Sequence, residues 1–263
     1  MVSVDEVLSI IACFMFAGLF VGFLLRIIKS RWTVYYFLLA FALLRIVAYS
    51  IRAYIDSGAI SPADSAFINL YITETILLSL GAIVFIKVLA RLYGSILPKL
   101  RSQSMREPDL FERYVVERTR LFLLPLVALI IAGATLSTPD HSASQLELGA
   151  TLRKIGICLL LILGLWFWYA AFTYRNLYSD NVRAFNIALI TTTLMDISLV
   201  YKVVYAFYPQ AQTTTAAFFI LSPLIEFTAL CVLCVDLKSH FLGHPFANDV
   251  EIQPTSGSGY HNV

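Results

Sequence analysis

The stretch VLSIIACFMFAGLFVGFLL, residues 7–25, runs for nineteen residues without a charge. About 20 apolar residues in a helix cross a ~30 Å hydrocarbon core. Asp5 and Glu6 stand at its mouth, and Arg26, Lys29 and Arg31 follow it. A signal peptide has the opposite order, with a basic start and a small-residue cleavage site, so the run is expected to be a retained first span. Six more apolar runs follow, which gives spans at about 5–27, 33–56, 66–93, 118–137, 150–174, 184–208 and 212–236. Composition agrees. Of 263 residues, 59% are apolar and 14% charged, against about 25% charged in an average soluble domain, and mean hydropathy is +0.78. The expected fold class is all-α: a seven-transmembrane helix bundle formed by residues 1–238, followed by a short polar tail at 239–263 that is expected to be disordered. No block of sequence between spans is large enough for a second soluble domain.

The distribution of charge sets an expected orientation. One side carries Arg26, Lys29, Arg31, Lys87, Arg91, Lys99, Arg101, Arg106, Arg113, Arg118, Arg120, Arg175, Arg183 and Lys238, 14 of the 19 basic residues. By the positive-inside rule this is the cytosolic side, with the N-terminus outside and the C-terminus in the cytosol. The longest polar connection, LPKLRSQSMREPDLFERYVVERTR (97–120), lies on that side. Pro108 and the acids after it read as a helix start, and Glu112, Arg113, Glu117 and Arg118 could pair along it. It is expected to be a solvated extension of span 4, with docking of a cytosolic partner at 97–117 as the sharper reading.

Ionisable residues within the spans each cost at least ~2.5 kcal/mol at mid-depth and call for a reason. Arg45, Tyr49, Arg52 and Asp56 share one face of span 2. Glu74 lies in span 3, Asp196, Lys202 and Tyr205 in span 6, and Glu226 in span 7, three residues after Pro223. Three bases (Arg45, Arg52, Lys202) face three acids (Glu74, Asp196, Glu226) at compatible depths. The candidate site is therefore a polar core of Arg45, Tyr49, Arg52, Glu74, Asp196, Lys202, Tyr205 and Glu226, between spans 2, 3, 6 and 7 and open to the outside. Arg45 is expected near Glu226 or Asp196, and Lys202 or Arg52 near Glu74. The core could hold a ligand, ion or lipid headgroup, or it could be a buried ion-pair network that fixes helix register. Pro223 removes a backbone donor and frees a carbonyl near Glu226.

Other chemistries find little support. A net charge of +2 gives no nucleic-acid footprint. Cys13, Cys158, Cys231 and Cys234 all lie in apolar runs, and the C-x-x-C at 231–234 lacks further ligands for zinc. His240 and His244 stand one turn apart beyond span 7, between Asp236 and Asp249. They resemble the paired histidines of ceramidase- and progestin-receptor-like membrane hydrolases, but no intramembrane histidine accompanies them. G-x-S-x-G, P-loop, H-E-x-x-H and N-x-S/T motifs are all absent. Span 7 has no lysine at its centre for a retinal Schiff base, and the Asn-Pro-x-x-Tyr and acidic-Arg-aromatic motifs of rhodopsin-like receptors are missing.

Four segments carry a family resemblance: FALLRIVAYS around Arg45, ERTRLFLLPLVALIIAGA into span 4, LRKIGI entering span 5, and YKVVY at 201–205 with an acid in span 7. Together they resemble a family of fungal seven-span, receptor-like integral membrane proteins with no activity attached to it. Lys202 stands where that family often has Arg. A more distant likeness is to fungal lipid-translocating exporters, whose aromatic-Arg-x-x-Glu signature is not evident here. The expected function is a receptor-like, non-enzymatic membrane protein of the plasma membrane or an endomembrane, binding a small or lipidic ligand in the outward-facing pocket and surrounded by membrane lipids. The alternatives are a transporter or lipid translocator and, more distantly, a metal-dependent hydrolase. No cofactor, metal site or nucleic-acid partner is expected.

Overall fold

Helix α1 (Val4–Ser30) begins where the Ser3 hydroxyl accepts the Glu6 N–H at 3.0 Å, with Asp5 and Glu6 in the first turn. It ends at Arg31, a left-handed residue (φ 50°) whose N–H reaches the Ile27 carbonyl at 2.8 Å. That cap reverses the chain into α2 (Thr33–Asp56) within two residues. The computed structural model describes residues 3–61, 64–104, 107, 109–137, 142–208, 215–235 and 237–242. Then come α3 (Ser65–Ser104), a π-helical segment (Phe111–Val116), α4 (Thr119–Thr135), α5 (Ala143–Leu177) and a 3-10 turn (Ser179–Asn181). The chain continues through α6 (Val182–Phe207), α7 (Thr215–Phe219), a second π-helical segment (Ile220–Leu224), α8 (Ile225–Leu233) and α9 (Leu237–Leu242). No strand occurs among the described residues.

Among the described residues five helices, α1, α2, α3, α5 and α6, are long and apolar enough to cross a membrane, and two shorter apolar helices cover residues 121–135 and 217–233. The described part of the protein is thus all-helical, with the build of a multi-pass membrane protein. Helices α1, α2, α5 and α6 bury part of their surface and leave large apolar side chains exposed on the rest. In α1, Ala12, Phe16, Leu19, Phe23 and Ile27 are buried at helical spacing, while Val7, Phe14, Val21, Leu25 and Ile28 are exposed. A soluble helix would put polar residues on that outer face; here it suits lipid.

Successive helices pack as neighbours: α1 with α2, α2 with α3, α4 with α5, α5 with α6, and α6 with α8. Where α4 and α5 meet, a Cβ on Gly149 would stand 3.0 Å from the Gly133 carbonyl, so glycine permits this closeness.

Several helices run past the apolar spans. Helix α3 continues beyond the span expected at 66–93 to Ser104, and α5 begins at Ala143, ahead of the span expected at 150–174. Hydropathy marks only the apolar part of a helix, whereas backbone hydrogen bonding continues into polar residues. The loop after α3 is not a solvated extension of α4. Phe111 and Val115 are buried, and a turn at 117–118 separates their segment from α4. Phe111 sits 5.1 Å from the Phe167 ring and 5.5 Å from that of Tyr93, so an aromatic wedge draws the loop under the bundle. Glu112 pairs with Arg101 (3.5 Å), not along its own helix. The tail expected from 239 begins inside α9, because buried Phe241 ties that turn to the core. Pro108, and the tail beyond 242, lie outside the described residues.

Candidate functional site

Arg45 is fully buried midway along α2 and Glu226 is fully buried in α8, where Nε and Oε2 approach to 2.6 Å. Lys202 of α6 donates to the other carboxylate oxygen, Oε1, at 2.5 Å, and the Ser198 hydroxyl donates to the same oxygen at 3.1 Å. One acid therefore serves two bases. Arg45 Nη1 also donates to the Leu78 carbonyl at 2.7 Å, and the guanidinium lies 4.8 Å from the Phe41 ring centroid. The space for it comes from Gly81 on α3, where a Cβ would stand 2.8 Å from Arg45 Cζ.

The reverse ratio holds nearer the end of the bundle where α1 begins. Arg52 Nε donates to Asp56 Oδ2 (3.2 Å), and Nη1 lies 3.6 Å from Glu74 Oε1. Ser9 of α1 donates to the same Asp56 oxygen at 3.0 Å. Two acids here serve one base. Tyr49, one turn before Arg52, is buried and stacks on Phe16 with ring centroids 5.7 Å apart. Pro223 falls within the π-helical segment just before Glu226. A prolyl nitrogen cannot donate, and the wider π turn absorbs the disrupted ladder.

Beside these pairs lies a cavity of about 320 Å³, lined by Arg52, Glu74, Lys202, Arg153, Tyr71 and Tyr205 among others. That volume falls at the lower end of the ~300–1,000 Å³ of small-molecule sites. All six residues lie toward the end of the bundle where α1 begins. The opposite end is filled by aromatic rings: Tyr93, Phe111, Phe167, Tyr174 and Phe185 are all buried. Glu74 Oε2 is buried with no hydrogen-bond partner among the described residues.

Of the expected core, Arg45, Tyr49, Arg52, Glu74, Lys202, Tyr205 and Glu226 come together; Asp196 does not. It faces α5, where its carboxylate occupies the space a Cβ on Gly164 would need. Neither carboxylate oxygen has a hydrogen-bond partner among the described residues. The reason is rotational. At about 100° per residue, Ser198, Lys202 and Tyr205 share a stripe of α6, and Asp196 lies some 200° back from Ser198. Neither Arg153 nor Gly81 is among the site residues expected from the sequence; Gly81 is seven residues from Glu74, on the same face of α3. Among the described residues no group of three His, Cys, Asp or Glu side chains could hold a metal ion. His244, Asp236 and Asp249 lie outside them.

Fold and site define a multi-pass helical membrane protein with ion pairs buried between its helices. Comparison assigns no narrower group: no family model, no curated protein and no solved structure matches the chain.

Proposed function

We propose that this chain is a receptor-like, non-enzymatic integral membrane protein of the plasma membrane or an endomembrane, with seven spans, N-terminus outside and C-terminus in the cytosol. Its pocket takes a small or lipidic ligand. The observation that carries the reading is the cavity of about 320 Å³ with charged walls at one end of the bundle. The aromatic packing that fills the other end supports a receptor over a conduit, because a conduit needs a path through both halves. The proposed family is the fungal seven-span, receptor-like one, and the proposed docking place for a cytosolic partner is the loop 97–117. The two shorter apolar helices, 121–135 and 217–233, supply the remaining two of the seven spans.

A second reading, a lipid translocator, is favoured by a neighbouring cleft of about 210 Å³ between α3, α4 and α5, lined largely by apolar side chains. Binding and flux separate the two. The purified protein in phosphatidylcholine vesicles is offered a panel of small polar solutes and of radiolabelled C12 amphiphiles with carboxylate, alcohol and ammonium heads. A receptor binds at least one probe saturably, loses it when Ser79→Phe fills the cavity wall, and moves none across the bilayer faster than protein-free vesicles do. Flux of a bound probe above that of protein-free vesicles selects the translocator. Absence of any saturable, Ser79-sensitive binding overturns the pocket.

A further inference from the structure

We infer that the pocket's ligand is an amphiphile with an anionic head, anchored at Arg153 with its chain in the cleft between α3, α4 and α5. This rests on the pocket reading above and names the ligand class of that same site.

The cavity and the cleft are adjoining spaces that share Tyr71, Thr75 and Arg153 as walls. The cleft's other walls are Phe67, Ile68, Ile72, Ala134 and Ser137, apolar except for one hydroxyl. That hydroxyl is already spent on the Gly133 carbonyl at 2.7 Å. A ligand spanning both spaces has an apolar end in the cleft and a polar end in the cavity, with Arg153 at the junction.

The sign of the head follows from the charges on the cavity wall. The lining holds three bases, Arg52, Arg153 and Lys202, and two acids, Asp5 and Glu74. Arg52 is held by Asp56 and Glu74. Lys202 shares Glu226 with Arg45, one positive charge in excess, which offsets the one negative charge in excess where Asp56 and Glu74 share Arg52, so the sign at the junction is set by Arg153. Arg153 has no ion pair among the described residues, although it is only half-exposed. Its stem is fixed: a Cβ on Gly133 would stand 2.8 Å from Arg153 Cγ, so α4 holds the side chain from behind. A guanidinium so placed offers a planar fork of donors to a carboxylate or phosphate. Glu74 is the competing anchor, for a cationic head, and the Arg52 guanidinium, 3.6 Å from its Oε1, already supplies it with a counter-charge.

The test uses the full chain in phosphatidylcholine nanodiscs and equilibrium binding of dodecanoate, dodecanol and dodecylammonium. Dodecanoate is expected to bind tightest. Arg153→Gln should weaken it about tenfold or more, with Arg153→Lys retaining part, as expected for loss of a bidentate charge-assisted contact. Ile72→Trp, which fills the cleft, should abolish the preference for dodecanoate over hexanoate while leaving hexanoate binding intact. If Arg153→Gln fails to fold, Arg153→Lys and Ile72→Trp still decide. Adding phosphatidic acid to the nanodiscs identifies the source: displacement of dodecanoate marks a phospholipid head as occupant, and no displacement marks a free amphiphile. Tightest binding by dodecylammonium or dodecanol, or a dodecanoate affinity indifferent to Arg153, overturns the inference while Ser79-sensitive binding leaves the pocket standing. Loss of all Ser79-sensitive binding overturns the pocket itself.

Discussion

Arg45 and Glu226 are wholly buried and 2.6 Å apart, while Asp196, nearly as buried, has no partner among the described residues. The two acids should therefore respond unequally to amidation. Glu226→Gln leaves two bases, Arg45 and Lys202, without their counter-charge, and is expected to cost about 3–5 kcal/mol. Asp196→Asn strands no base and should shift stability by less than about 1 kcal/mol. Thermal unfolding in a non-ionic detergent reads both; a Glu226→Gln protein as stable as wild type would show that Arg45 is held by Leu78 and Phe41 alone. Gly81 gives a second prediction at this scale. Gly81→Ala places a methyl 2.8 Å from Arg45 Cζ and should cost about 1–3 kcal/mol. Gly18→Ala is the control: nothing lies within 4 Å of its added Cβ, and helix propensity alone should make it neutral or up to ~1 kcal/mol stabilising. Equal unfolding temperatures for the two variants would remove Gly81 from the site.

The π-helical segment 111–116 behaves as a separate element latched under the bundle. Tyr174 donates to Asp109 Oδ2 at 2.6 Å, and Asp109 Oδ1 accepts the Glu112 N–H at 2.9 Å. Phe111→Ala removes the wedge and should cost about 3–5 kcal/mol of local stability, read as faster protease cleavage between 109 and 118. Burial pushes the Glu112 carboxyl above its ordinary range, with the Arg101 guanidinium pulling the other way. A carboxyl raised in the docked state holds its proton more tightly there than when released. Docking is therefore strongest below the ordinary carboxylate range and weakens as pH rises through the docked value. Trp166, 6.1 Å from the Phe111 ring, reports this in a Trp32→Phe, Trp168→Phe background. Its emission should change with pH in that protein and lose the change in Glu112→Gln; a persistent change assigns the titration elsewhere. Sequence reading marked the polar connection but not its latch, because a partner 56 residues away, Phe167, has no signature in local periodicity.

For the whole molecule, the prediction concerns span number and direction. In a chain stripped of its four cysteines, an impermeant thiol reagent should label Ser57→Cys and Ser144→Cys on intact cells, and Ser102→Cys only after permeabilisation. A tag after residue 263 should be shielded from external protease. Labelling of Ser102→Cys and Ser144→Cys from the same side would mean that α4 does not cross. The sequence by itself determined that the chain is helical and largely apolar, roughly where each helix lies, and that Arg45, Arg52, Glu74, Asp196, Lys202 and Glu226 call for counter-charges, since an unpaired charge in hydrocarbon is costly. Periodicity gives each residue a depth and a face on its own helix, and nothing about how helices turn toward one another. Only the tertiary structure decided that Glu226 serves both Arg45 and Lys202, that Asp196 faces Gly164 instead, that Gly81 makes room for a guanidinium, and that Arg153 joins cavity and cleft. Those outcomes depend on helix rotation and close approach, which side-chain volumes on neighbouring helices set together.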